Sequence, residues 1–134
     1  GAAIAFTARY PLLNLDVRNT IITGYADDQL MGTPADAAIP FNYSFDHSVI
    51  RTPKVTTADS IHFTNVLYED VKDTVSMGQK HFMKIDSNRQ YYDFRLSNKS
   101  AAIDKADPST AVPTDRSGLP RDSRPDMGAF EYKP

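Results

Sequence analysis

An all-β chain of parallel strands stacked in successive coils is predicted by three repeated segments and by a Pro-rich tail that cannot add to a sheet. The repeats are Val17-Arg18-Asn19-Thr20-Ile21-Ile22, Phe45-Asp46-His47-Ser48-Val49-Ile50 and Phe63-Thr64-Asn65-Val66-Leu67-Tyr68. In each, an apolar residue is followed two places on by Asn or His, and two places further by Ile, Val or Leu. His47 follows Asn19 by 28 residues and Asn65 follows His47 by 18. Solenoid coils take about 20 to 50 residues. Equivalent positions of neighbouring coils stack, so Val17, Phe45 and Phe63 are expected to stack inside, as are Ile21, Val49 and Leu67. By alternation Asn19, His47 and Asn65 point inward as well, where stacked polar side chains can satisfy one another and the backbone.

The elements follow in order. Ala2-Ala3-Ile4-Ala5-Phe6 is apolar; it can fold over an uncovered first coil or pair with a second copy of the chain. Thr23 to Pro40 holds Gly24, Gly32, Pro34 and Pro40 and reads as a long loop, and Thr52 to Ser60 as a turn-rich link. Glu69 to Gln79 fits a short helix with Val71 and Val75 on one face. Met83 to Asp86 and Tyr91 to Leu96 alternate as strands do. Residues 105–128 carry Pro108, Pro113, Gly118, Pro120, Pro125 and Gly128. Proline removes backbone donors, so this stretch is expected to be irregular. Ala129 to Tyr132 can add a last short strand. Phe130 and Tyr132 would anchor the tail, with Tyr91, Tyr92 and Phe94 in the layer beneath.

Composition narrows the class. The 134 residues suit one domain, 40% are hydrophobic and the formal net charge is -2. No basic patch stands out, which argues against nucleic acid as a partner. Without cysteine there are no disulfides or thiolate metal sites. No apolar run reaches the ~20 residues that cross a bilayer, so membrane insertion is not expected. The start has no basic residue of a secretion signal, and a chain that opens on Gly reads as part of a longer protein.

Few residues suggest chemistry. The three histidines, His47, His62 and His81, form no HxH or HExxH pattern. Asp27-Asp28 and Glu69-Asp70 are adjacent pairs whose side chains splay, unlike the facing carboxylates of a glycosidase. Asp104, Asp107, Asp115, Asp122 and Asp126 lie in the tail. Asp115 and Asp126 are the calcium candidates, since calcium takes several loop oxygens. Their structural alternative is to cap turns while Arg121 or Arg124 pairs with an acid such as Glu131. Arg18, Arg51, Lys54 and Lys84 are the bases that could work on an acidic polymer. Among the tyrosines, Tyr25 and Tyr68 lie near loops and are the candidates for stacking on a sugar ring. No catalytic residue and no cofactor are assigned.

The tail also carries a resemblance. Residues 91–104 read Tyr-Tyr-Asp-Phe-Arg-Leu-Ser-Asn-Lys-Ser-Ala-Ala-Ile-Asp; Asp115-Arg116-Ser117-Gly118-Leu119-Pro120-Arg121 and Arg124-Pro125-Asp126-Met127-Gly128-Ala129-Phe130-Glu131-Tyr132 follow. This order resembles the C-terminal end of secreted right-handed parallel β-helix proteins of gut Bacteroidetes, usually worded "SPAID.GDP…D..G.PR…PDIGAYEY". Asn98-Lys99-Ser100 departs from the usual Pro-Gly-Ser turn, and Ala106 from the usual Gly. The resemblance implies the C-terminal coils of a right-handed parallel β-helix with a Pro-rich irregular cap: coils with loop insertions over 1–104, and a cap of the same domain over 105–134. It implies a secreted, periplasmic or outer-surface protein. The part seen would be non-catalytic, structural and carbohydrate-facing, with polysaccharide as partner and self-association through an open N-terminal coil. The alternative is the tail of a polysaccharide lyase or glycoside hydrolase whose active site lies upstream.

Overall fold

The computed structural model describes residues 2–7, 9–69 and 78–134. Its strands are β1 (Ile4–Ala5), β2 (Leu12–Arg18), β3 (Ile21–Ile22), β4 (Leu30–Met31), β5 (Phe41–Asp46), β6 (Val49–Ile50), β7 (Phe63–Thr64), β8 (Leu67–Tyr68), β9 (Phe82–Asp86) and β10 (Tyr91–Leu96). Short 3-10 turns span Ala58–His62 and Gly78–His81.

The three repeated segments lie side by side and parallel. Val17 pairs with Phe45 and Phe45 with Phe63; Ile21 pairs with Val49 and Val49 with Leu67. The residue at the middle of each is bent. Asn19, His47 and Asn65 have φ of 51°, 42° and 51°, the left-handed region in which Asn and His are enriched among non-glycine residues. The bend splits every segment into two strands, so β2-β5-β7 forms one sheet and β3-β6-β8 another.

The bend also reverses the facing that simple alternation predicts. Val17, Phe45 and Phe63 turn into one core with Ile22 and Ile50; Ile4, Phe6, Leu30 and Tyr43 complete it. Phe45 and Phe63 stack 5.2 Å apart. Ile21 and Val49 belong instead to a second core on the other side, with Leu96, Ala102, Ala106 and Met127 from the C-terminal part. Leu67 stays 37% exposed. The middle residues do not stack as an inward polar ladder. The Asn19 amide leaves the sheet and donates to Thr110 Oγ1 (3.1 Å), while its oxygen accepts from the Asp107 N–H (2.7 Å).

The β-helix expected from the sequence is corrected by the sheets themselves. Among the described residues there are four of them, two or three short strands wide; three are parallel and the β9–β10 sheet is antiparallel. Among the described residues no sheet is closed, and none continues as a solenoid. Ala102 and Ile103, with Ala106 and Met127 from the supposed cap, pack with Ile21 of β3 and Val49 of β6 in the second core. Thr23 to Pro40 holds β4, which pairs with β1. The apolar Ala2–Phe6 segment thus folds over the first core, and the Phe6 ring occupies the space that a Cβ at Gly32 would need.

Ala129 to Tyr132 forms no strand. Its amides bond to carboxylates instead: Glu131 N–H donates to Asp115 and Tyr132 N–H to Asp126. Pro125 and Met127 are the fully buried side chains near the end of the tail, while Phe130 and Tyr132 are half-buried. Tyr91, Tyr92 and Phe94 form no inner layer; they are 58%, 46% and 51% exposed. The helix expected over Glu69 to Gln79 falls mostly outside the described residues. Among the described residues no helix is long and apolar enough to cross a membrane.

Truncation should follow this burial. Phe45 is fully buried and Leu13 is 72% exposed. Phe45→Ala should lower the unfolding free energy by about 3–5 kcal/mol, and Leu13→Ala by no more than about 0.5 kcal/mol. Urea unfolding of both variants measures the contrast.

Candidate functional site

The β9–β10 hairpin leaves aromatic rings on an open cleft. The hairpin pairs Tyr91 with Asp86, Tyr92 with Ile85 and Asp93 with Lys84, then shifts register so that Leu96 meets Phe82. Leu96 turns into the second core. Tyr92 and Phe94 remain outside with their rings parallel, 3° between planes and 5.9 Å between centres. Phe82 meets Phe94 edge-on at 5.3 Å.

The cleft beside these rings measures about 840 Å³, within the usual range of ligand pockets. Asn19, Thr20, Ile21 and Thr23 line it from the first bend and β3; Arg116 and Gly128 to Phe130 line it from the tail. Gly128, at φ 98°, takes a left-handed conformation against Ile21 that a side chain would strain. Its N–H donates to the Asn19 carbonyl at 2.8 Å and fixes the tail to the bend. Asp93 and Arg95 form a fork, Nη2 to Oδ2 at 2.5 Å and Nε to Oδ1 at 2.9 Å. This pairing holds the Asp93 carboxyl below its usual range and raises the Arg95 guanidinium.

Beneath lies a buried charged network. Glu69, with its side chain fully buried, accepts from Arg51 Nη1 at 3.2 Å and from Thr23 Oγ1 at 3.1 Å, and meets His81 Nε2 at 3.1 Å. His81 Nδ1 meets Ser100 Oγ at 3.1 Å. Burial alone would raise the Glu69 carboxyl; hydrogen bonds from His81, Thr23 and the Gly78 backbone outweigh it and keep the carboxyl low. The order Ser100, His81, Glu69 has the contacts of a nucleophile, base and orienting acid. However, Ser100 is buried, its oxygen already accepts from the Ala102 N–H at 3.2 Å, and neither described cavity reaches it. Among the described residues every buried side-chain polar atom has a partner, which suits a structural tie between the second sheet and the C-terminal part.

The residues singled out from sequence are dispersed. Tyr25 is fully exposed, away from the cleft lining. Tyr68 is half-buried beside Phe63, and burial raises its hydroxyl pKa. Arg18 pairs with exposed Asp16, Arg51 is buried, and Lys54 and Lys84 are exposed without converging. Asp27 pairs with Arg51 and Asp28 accepts from Thr52, while Asp70 lies outside the described residues. His62 stacks on Tyr43 at 4.1 Å.

The calcium candidates have their oxygens occupied by protein donors. Asp115 accepts from Ser117 N–H and Oγ, Leu119 N–H and Glu131 N–H; Asp126 accepts from Asp104 and Tyr132 N–H. Among the described residues one group has metal-ligand spacing, Asp46, His47 and Asp107, with ligand atoms within 4.8 Å of one another. There Asp46 Oδ1 already meets His47 Nδ1 at 2.9 Å, and Asp107 accepts from Ser109. The sequence places Tyr92 and Phe94 in an inner layer and gives Arg116 no role, whereas all three line this cleft. The available signal was the Tyr-Tyr-Asp-Phe-Arg run, which puts aromatics on both faces of one strand.

Two substitutions test these assignments. Removing one member of a buried ion pair typically costs about 3–5 kcal/mol, so Glu69→Gln should cost that much in urea unfolding. Asp115 behaves differently with pH. Burial raises its carboxyl, but four donors outweigh burial and bring the pKa from 3.8 to about 2. The ionised form is favoured by folding, so its contribution is complete above about pH 4 and is lost as pH falls towards 2. In Asp115→Asn the unfolding midpoint should fall less between those pH values than in the parent chain.

No protein-family model matches this chain, and no curated protein is similar to it at a significant level.

Proposed function

We propose that this chain is a non-catalytic carbohydrate-binding module, with the cleft between the β9–β10 hairpin, the first bend and the tail as its binding site. The observation that carries this reading is the pair of parallel, half-exposed rings of Tyr92 and Phe94 on the cleft. The C–H face of a pyranose is apolar and flat, and an exposed aromatic face offers it contact area at little conformational cost. A contiguous exposed aromatic patch beside a cleft marks an interaction surface. The buried state of Ser100, His81 and Glu69 favours binding over hydrolysis as the task of the cleft. The tail's resemblance to secreted surface proteins supports a setting in which polysaccharide is available.

The test is calorimetry against a panel of soluble polysaccharides. Tyr92→Ala and Phe94→Ala should each weaken the binding partner found by about tenfold or more, or about 1.4 kcal/mol. Both residues are half-exposed, so the melting temperature should change little. Tyr25→Ala, away from the cleft, should bind as the parent does. Equal affinity in all three variants would remove the cleft from the reading.

A further inference from the structure

We infer that the ligand of this cleft is an anionic sugar, one whose ring bears a carboxylate or a sulfate, and that Arg116 reads that charge. The inference rests on the carbohydrate reading above and adds the chemical class.

The first support is which polar groups of the cleft are already engaged. The Asn19 amide donates to Thr110 Oγ1 and its oxygen accepts from Asp107 N–H. Thr20 Oγ1 donates to the Arg18 carbonyl at 2.7 Å, and Thr23 Oγ1 to Glu69. Asp93 and Arg95 hold each other, so their charges cancel locally. Arg116 differs: it is exposed, it lines the cleft, and among the described residues its guanidinium makes no ion pair or side-chain hydrogen bond. Among the described residues of the lining, the one charge without a partner is therefore positive.

The second support is how Arg116 is held. Its N–H donates to the Ala129 carbonyl at 2.8 Å. The preceding Asp115 fixes the turn through four donors, and Gly118 closes it at φ 83°. Asp115 is thus engaged with its own turn and is not Arg116's counter-ion. The turn fixes where the Arg116 side chain starts, beside the cleft, and a guanidinium suits bidentate binding of carboxylate or sulfate. Tyr92 and Phe94 would take the ring, and Arg116 its charge.

The experiment compares charged and neutral polymers of like backbone on the intact chain: polygalacturonate against its methyl ester, and dextran sulfate against dextran. Calorimetry at two salt concentrations should show one anionic member of a pair bound about tenfold or more tightly than its neutral counterpart, with the gap narrowing at high salt. The arm that shows the gap tells carboxylate from sulfate. Arg116→Gln should close the gap. Arg89→Gln, an exposed arginine at the hairpin turn outside the lining, should retain it. Equal binding of charged and neutral polymers, or a gap that survives Arg116→Gln, overturns the anionic assignment while the aromatic cleft stands. No binding to any of the four, with none in the wider panel, overturns the carbohydrate reading and this inference with it.

Discussion

The architecture depends on one backbone conformation used three times. Asn19, His47 and Asn65 each turn the chain through the left-handed region at equivalent places in stacked segments. Because the bends coincide, the strands before them pair in one sheet and those after them in another. The turn also separates residues that strict alternation would put together. Phe45 and Ile50 then build one core, while Val49, one residue before Ile50, builds the other. Two small cores on opposite sides of a thin sheet leave room for a tail to become part of the interior.

Charge is used where apolar residues would be expected. Arg51, Glu69 and His81 are buried and mutually bonded, and they reach Ser100 and the loop at Ala26 and Asp27. An ion network of this kind contributes less net stability than an apolar layer of equal volume, but it tolerates little change in geometry. It ties the second sheet to the segment that leads into the hairpin. The tail repeats the device: Arg121 binds Glu131 and the carbonyls of Asp126 and Gly128.

The pairing of the three segments was legible because it rests on local signals: an apolar residue, a residue tolerant of left-handed backbone, and a second apolar residue two places on. Their larger assembly was not. The tail's wording specifies turns clamped by Asp115 and Asp126, and such turns say nothing of the surface they pack against. Here that surface includes Ile21 of β3 and Val49 of β6, and the strands stay in small sheets. The cleft was illegible for a related reason. It joins residues near 20, 92 and 128, and the bond from Asn19 to Asp107 spans 88 residues. Tyr92 and Phe94 read as core because aromatic residues usually are; here they stay 46% and 51% exposed. Arg116 carried no signal at all, since its meaning comes from the engagement of its neighbours.

The tail has almost no regular secondary structure, yet many of its amides have partners: carboxylates for Asp104, Ser117, Leu119, Glu131 and Tyr132, and carbonyls for Ala106, Asp115, Arg116, Met127 and Gly128. Order and periodicity are separate properties in such a segment. Far-ultraviolet dichroism responds to repeating backbone dipoles and would register it as coil. Amide exchange responds to whether each N–H is bonded and shielded, and would register it as protected. A polypeptide built this way can look unfolded to one spectroscopy and native to another, with side-chain carboxylates doing what a helix or sheet does elsewhere.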